Sequence, residues 1–241
     1  MMSNPVVVIP TYNEADNICR LVEDILERIP GIRVVVVDDN SPDGTGRLAD
    51  ELSERHPGRV CVIHREGKLG LGTAYISGIK YALRDGATHI LTMDADYSHD
   101  PSYIPQLLEK AGERDVAIGS RYVRNGGTIN WRIHRILLSW LANKFARIML
   151  GLPANDCTSG FRCYRREVFD VVELESIRSD GYSFLVELLC LCHRAGLSIV
   201  ESPIIFIDRK LGKSKISRKE IFKGIWTVFR LKLTKRHAVS K

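Results

Sequence analysis

The sequence predicts an α/β fold: a doubly wound, mostly parallel sheet with amphipathic helices at its C-terminal end. Three observations carry that prediction. Short β-branched runs recur, they alternate with stretches of helical periodicity, and they are apolar throughout, which implies burial on both faces. The predicted strands are residues 6–10, 33–37, 60–64, 89–93 and 116–119. Helical stretches at 14–29, 44–55, 72–83 and 102–111 lie between them; in the first, Ile18, Leu21, Val22, Ile25 and Leu26 share one face. Strands joined through helices by short links make parallel crossovers. From about residue 125 the pattern changes. A long amphipathic helix is expected over 131–150, another over 182–195, a strand pair at 198–200 and 204–207, and a basic helix at the end.

Composition narrows the function classes. With 44% hydrophobic and 27% charged residues, the chain reads as a folded domain, not a disordered or collagen-like one. Its six cysteines form no CxxC pair, so they are expected to be reduced thiols in the cytosol. The apolar run 6–9 is too short for a signal-peptide core. Residues 131–150 carry Arg132, Arg135, Lys144 and Arg147. Each would cost roughly 2.5–3.5 kcal/mol at a bilayer centre, so this helix is not expected to span one. Charge is uneven: residues 208–241 hold 12 Lys and Arg against 2 acids, whereas the whole chain is +6. A basic tail on a mildly acidic body suits an anionic partner or a solvated terminus.

Ligands of doubly wound sheets bind at the carboxyl ends of the strands, and the segments there are polar in every case. They include Pro10-Thr11-Tyr12-Asn13-Glu14, Asp38-Asp39-Asn40-Ser41-Pro42-Asp43-Gly44, Asp94-Ala95-Asp96-Tyr97-Ser98-His99 and Ser120-Arg121-Tyr122. Asp39 to Asp43 alone is also an ordinary Asx turn and helix cap. Asp94-x-Asp96 after a buried strand offers two hard oxygen ligands, the donor type that suits Mg²⁺ or Mn²⁺. Arg135 and Ser139, four apart on a helix, share a face and fit a phosphate; on the residues alone, a solvated helix charge is the commoner reading of Arg135.

These strings resemble the family 2 glycosyltransferases of the GT-A, nucleotide-diphospho-sugar transferase type. Ile9-Pro10-Thr11-Tyr12-Asn13-Glu14, Val37-Asp38-Asp39 and Met93-Asp94-Ala95-Asp96 carry the general likeness. Gly119-Ser120-Arg121-Tyr122, Trp131…Arg135…Ser139, Asp156-x-Thr158-Ser159-Gly160-Phe161-Arg162 and Arg209-x-x-Gly212-x-Ser214-Lys215 narrow it to polyprenyl (dolichyl) phosphate mannose synthases. The resemblance runs from residue 6 to about 229 and implies one domain over 1–241. Its nucleotide-sugar half would be 1–124, and its acceptor half 125–241 with the basic C-terminal helix.

Site roles follow from the resemblance. Pro10, Tyr12, Glu14, Val37 and Asp39 would hold the nucleoside, with Asp39 accepting from the base. Asp94, Ala95 and Asp96 would hold the diphosphate and its metal, with Ser98 where the family often has Gln. Arg121, Arg135 and Ser139 would bind the acceptor phosphate, and Arg209 and Lys215 the donor phosphates. Asp96 and Arg121 are the expected catalytic residues. The implied reaction is inverting transfer of mannose from GDP-mannose to polyprenyl phosphate; UDP-glucose as donor, or a non-catalytic nucleotide-binding scaffold, are the alternatives. Because a phosphate monoester is mostly dianionic at neutral pH, it can attack without a general base.

The apolar residues of 131–145 and 221–229, set beside Lys and Arg, suit helices lying on a membrane or packing on the core. The expected location is therefore peripheral, at the cytoplasmic face of a membrane, by surface binding or through a membrane-bound partner protein. Nucleic acid is not expected, since no recognisable binding module accompanies the basic tail.

Overall fold

The computed structural model describes residues 4–208 and 218–234. Arg209 and Lys215, assigned above to the donor phosphates, lie outside the described residues. The first half of the chain alternates as expected: β1 (Pro5–Thr11), α1 (Ala15–Arg28), β2 (Arg33–Asp38), α2 (Thr45–Arg55), β3 (Val60–His64), α3 (Leu71–Arg84), β4 (His89–Thr92), α4 (Ile104–Glu113) and β5 (Val116–Ser120). Then follow β6 (Gly127–Ile129), α5 (Ile133–Leu150), β7 (Arg162–Arg165), α6 (Val168–Val171), α7 (Gly181–Arg194), β8 (Ile199–Pro203), β9 (Ile205–Ile207) and α8 (Arg218–Leu233).

Seven strands form one sheet in the order β3-β2-β1-β4-β7-β5-β8, and β6 pairs with β9 in a second, two-stranded sheet. Every pairing in the large sheet is parallel except the two made by β7. The apolar runs are explained by the layers. Val6 and Val8 of β1 pack into a cluster with α3 and α7, whereas Val7 and Ile9 pack with α1, α2 and α4. Consecutive valines therefore serve opposite cores. The α3 layer lies so close that a Cβ on Gly78 would sit 2.3 Å from Val8 Cγ1, which only glycine avoids.

Two sequence expectations need correction. β7 was not anticipated: the chain comes back antiparallel between β4 and β5, pairing Thr92 with Arg162 and Val116 with Tyr164. Arg-Cys-Tyr-Arg does not read as a buried strand because it opens on arginine. Yet Arg162 is fully buried, donating to the carbonyls of Ser159, Leu185 and Cys157 and to the Tyr164 hydroxyl. The expected pair at 198–200 and 204–207 also does not pair with itself. β8 extends the main sheet beside β5, and β9 joins β6 in the small one.

Both C-terminal helices are amphipathic, but their apolar residues are divided between core and solvent. Ala146, Val228 and Leu231 are buried, while Ile133, Leu137, Trp140, Phe222, Trp226 and Leu233 are exposed. Among the described residues, no helix is long and apolar enough to cross a membrane.

Candidate active site

The loops at the carboxyl ends of β1 and β2 are tied together before any ligand arrives. The backbone amides of Asn13, Glu14 and Ala15 donate to Ser41 Oγ, Thr45 Oγ1 and Asp43 Oδ2 at 3.0, 2.9 and 3.1 Å. Asn13 and Asn40 take left-handed backbone angles (φ 61° and 56°), which asparagine tolerates better than most residues. Pro10 and Val37 are direct register partners on this edge, with Tyr12, Glu14 and Asp39 beside them. Asp39 is already engaged: Arg65 Nη1 lies 2.6 Å from its Oδ1, and the Gly70 amide donates to its Oδ2 at 3.1 Å. Lys68 lies 3.9 Å from the Tyr12 ring centroid, a cation–π contact across the same edge.

A second group gathers after β4. Asp94, Asp96 and Ser98 line a cavity of about 460 Å³ together with Arg121, Arg135 and Ser139. The cavity thus collects the residues expected for the metal and for the acceptor phosphate. Ala95 is buried between the two carboxylates. The Ser98 amide and hydroxyl both donate to Asp96 Oδ1, so Ser98 orients that carboxylate. Asp94 Oδ1 accepts from the Tyr75 hydroxyl at 3.1 Å. Burial together with the Asp94 charge drives the Tyr75 phenol well above its ordinary pKa, so it remains a donor. His99 accepts the Asp94 N–H on Nδ1 at 3.2 Å and stacks on Phe161; burial lowers its pKa and favours the neutral ring. Gly160 closes this wall, where a Cβ would lie 3.3 Å from Asp94 Oδ1.

The cationic side of the cavity is equally ordered. Arg121 Nε and Nη2 bind Asp156 Oδ2 and Oδ1, both at 2.7 Å, and Nη2 also reaches Thr158 Oγ1 at 2.9 Å. Burial alone would raise Asp156, but the charge and hydrogen bonds of Arg121 outweigh it and hold the carboxyl below its usual range. Glu201 fixes Asp156 from behind by accepting its backbone N–H at 2.9 Å. Arg135, on the first turn of α5, pairs with Asp208 at 2.7 Å. The same cavity is also lined by apolar side chains: Leu138, Leu141 and Phe145 of α5, Leu185 and Val186 of α7, and Ile225 and Phe229 of α8.

Residues 6–172 match the model of Glycosyl transferase family 2. The chain belongs to that family. This glycosyltransferase is 44% identical over 92% of its length to a polyprenol monophosphomannose synthase of Mycolicibacterium smegmatis, of which it covers 84%. It is 41% identical over 95% of its length to an undecaprenyl-phosphate mannosyltransferase of Micrococcus luteus, covering 94% of that protein. In fold it resembles the glucosyl-3-phosphoglycerate synthase of Mycobacterium tuberculosis solved with Mn²⁺, UDP and glucosyl-3-phosphoglycerate. The TM-score is 0.67 at 19% identity, covering 95% of this chain and 80% of that one.

The sequence assigns no role to several residues of this candidate site. Tyr75, Asp156, Thr158, His99 and Asp208 all touch an expected site residue. Asp156 and Thr158 stood in a recognised string, which was the available signal. Tyr75 had none, being a single tyrosine on an apolar helix. Two other carboxylates are ion-paired, one buried and one at the surface. Glu187 is buried against Arg230 at 2.6 Å, tying α8 to α7, and Asp180 pairs with Lys223 at 3.0 Å.

Proposed function

We propose that this glycosyltransferase moves mannose from GDP-mannose to a polyprenyl (dolichyl) phosphate, with inversion, at the cytoplasmic face of a membrane. The observation that carries the reading is that one cavity is lined by two carboxylates, by two arginines with Ser139, and by apolar side chains of α5, α7 and α8. A cation-bound diphosphate, a phosphate and a hydrocarbon chain call for those three kinds of surface. The names borne by the two bacterial relatives support the same choice of acceptor and sugar.

The residues present fit a divalent cation of the Mg²⁺ or Mn²⁺ type. Asp94 and Asp96 supply two carboxylates, and among the described residues no group of three or more His, Cys, Asp or Glu forms an all-protein cage. Mg²⁺ is commonly held by one or two carboxylates with substrate phosphates and water completing its shell. When bound, such a cation neutralises charge developing on the leaving diphosphate.

The rest of the chemistry belongs to the chain. Tyr75 and Ser98 orient the two carboxylates. Arg121, held by Asp156, and Arg135 with Ser139 set the acceptor phosphate for in-line attack on the anomeric carbon. Glu187 is buried in an ion pair with Arg230, and a dianionic phosphate acts without a general base. Exposed Ile133, Trp140, Phe222 and Trp226, with Lys and Arg around them, would rest on the membrane from which the acceptor comes.

Arg135→Ala tests the reading. It should raise KM for a short-chain isoprenyl phosphate while leaving nucleotide affinity nearly unchanged. The reverse pattern would refute the acceptor site.

A further inference from the structure

Two buried side-chain nitrogens without a hydrogen-bond partner among the described residues, Trp131 Nε1 and Arg135 Nε, belong to side chains in direct contact. Trp131 stands two residues before α5 and lines the cavity. Its ring centroid is 4.1 Å from the Arg135 guanidinium carbon and 5.4 Å from that of Arg121. One indole therefore lies against two guanidinium groups. Their carboxylate partners, Asp156 and Asp208, come from other segments of the chain.

The indole is itself held in place. Phe206 packs edge-on against it at 5.3 Å, and the same Phe206 packs edge-on against His99 at 5.4 Å. His99 accepts the Asp94 amide. An aromatic row thus links the arginine pair to the carboxylate loop. An indole N–H is a donor only, and a buried donor left without an acceptor is costly. The atom is covered in this structure, and the oxygen it lacks would come from a ligand whose entry shifts the side chains that cover it.

We propose that Trp131 is a further acceptor-binding residue: its face positions Arg121 and Arg135, and its Nε1–H donates to an oxygen of the acceptor phosphate monoester. This rests on the acceptor subsite proposed above. Trp131 acts there in two separable ways, and two variants divide them. Trp131→Phe keeps a ring and removes the N–H; Trp131→Leu removes both.

Initial rates with a short-chain isoprenyl phosphate, alongside equilibrium binding of GDP with Mn²⁺, test the proposal. Trp131→Phe should raise acceptor KM by about tenfold or more, the loss of one hydrogen bond to a charged group. Trp131→Leu should raise it further, by about another three- to tenfold for the lost cation–π face, and should lower kcat as the arginines drift. Nucleotide affinity should stay within about twofold in both, a split that general loss of structure does not give. An unchanged acceptor KM in Trp131→Leu, or a parallel loss of nucleotide binding, overturns the proposal. If Arg135→Ala raises acceptor KM while the Trp131 variants do not, only this inference fails. If Arg135→Ala has no effect either, the acceptor subsite itself is wrong and both readings fall.

Discussion

Arg121 and Asp156 form a two-bond ion pair in which the carboxylate is fully buried and the guanidinium side chain is 8% exposed. The pair joins the end of β5 to the segment before β7, 35 residues away. Removing one partner of such a pair leaves the other charge buried alone, at a cost of about 3–5 kcal/mol. Asp156→Asn should therefore lower the unfolding free energy by that order, read by urea denaturation. It should also lower kcat, because Arg121 loses its fixed direction.

The same pair predicts a pH dependence. Asp156 is held below its ordinary value of 3.8, mainly because the Arg121 charge and hydrogen bonds overcome burial. A carboxylate depressed in the folded state contributes stability that is fully present above its unfolded pKa and is lost as pH falls through the lower folded value. The difference in melting temperature between wild type and Asp156→Asn should be constant from about pH 5 to 8 and shrink only below about pH 3.8.

Tyr75 and Gly160 set the position of Asp94. Tyr75→Phe deletes a buried hydrogen bond to a carboxylate, which is worth about 1.5–3 kcal/mol. Binding of GDP with Mn²⁺ should weaken by about tenfold or more, with the melting temperature far less affected than in Asp156→Asn. Gly160→Ala should act in the same direction, since its Cβ would meet Asp94 Oδ1 at 3.3 Å and the Tyr75 hydroxyl at 3.6 Å. Isothermal titration calorimetry separates the two effects from any loss of fold.

The membrane face has its own test. Phe222 and Trp226 are each 71% exposed on α8. Burying a large aromatic side chain stabilises by roughly 1.5–3 kcal/mol, so Trp226→Glu should weaken binding to anionic vesicles by at least about tenfold. Turnover of a water-soluble short-chain acceptor should be unchanged. Equal loss on both substrates would mean that α8 supports the site instead of the membrane contact.

Much of this arrangement was legible before the structure. The β-branched runs placed β1 to β5: β1, β2, β4 and β5 lie inside the sheet with little polar alternation, whereas β3 is an edge strand only partly covered, and the strand-end rule then led to Asp94, Asp96 and Arg121. β7 was not legible: its signal is masked by Arg162, whose buried charge is satisfied by backbone carbonyls that no hydrophobicity pattern reveals. The partners that orient the site were hidden for a related reason. Asp156, Asp208 and Tyr75 act across 35, 73 and 19 residues, and such pairings depend on strand order. The strands near 199 and 205 were found but mispaired, because their partners β5 and β6 lie some eighty residues upstream.

The central claim is the reaction itself. The most direct test is transfer of radiolabel from GDP-mannose or UDP-glucose into organic-extractable lipid, with polyprenyl phosphate present and Mg²⁺ or Mn²⁺ added or chelated. Label is expected from GDP-mannose only, dependent on the lipid phosphate and abolished by chelation or by Asp96→Ala. Label from UDP-glucose instead would overturn the sugar. Full transfer by Asp96→Ala, or no lipid label from either donor while nucleotide still binds, would contradict the account.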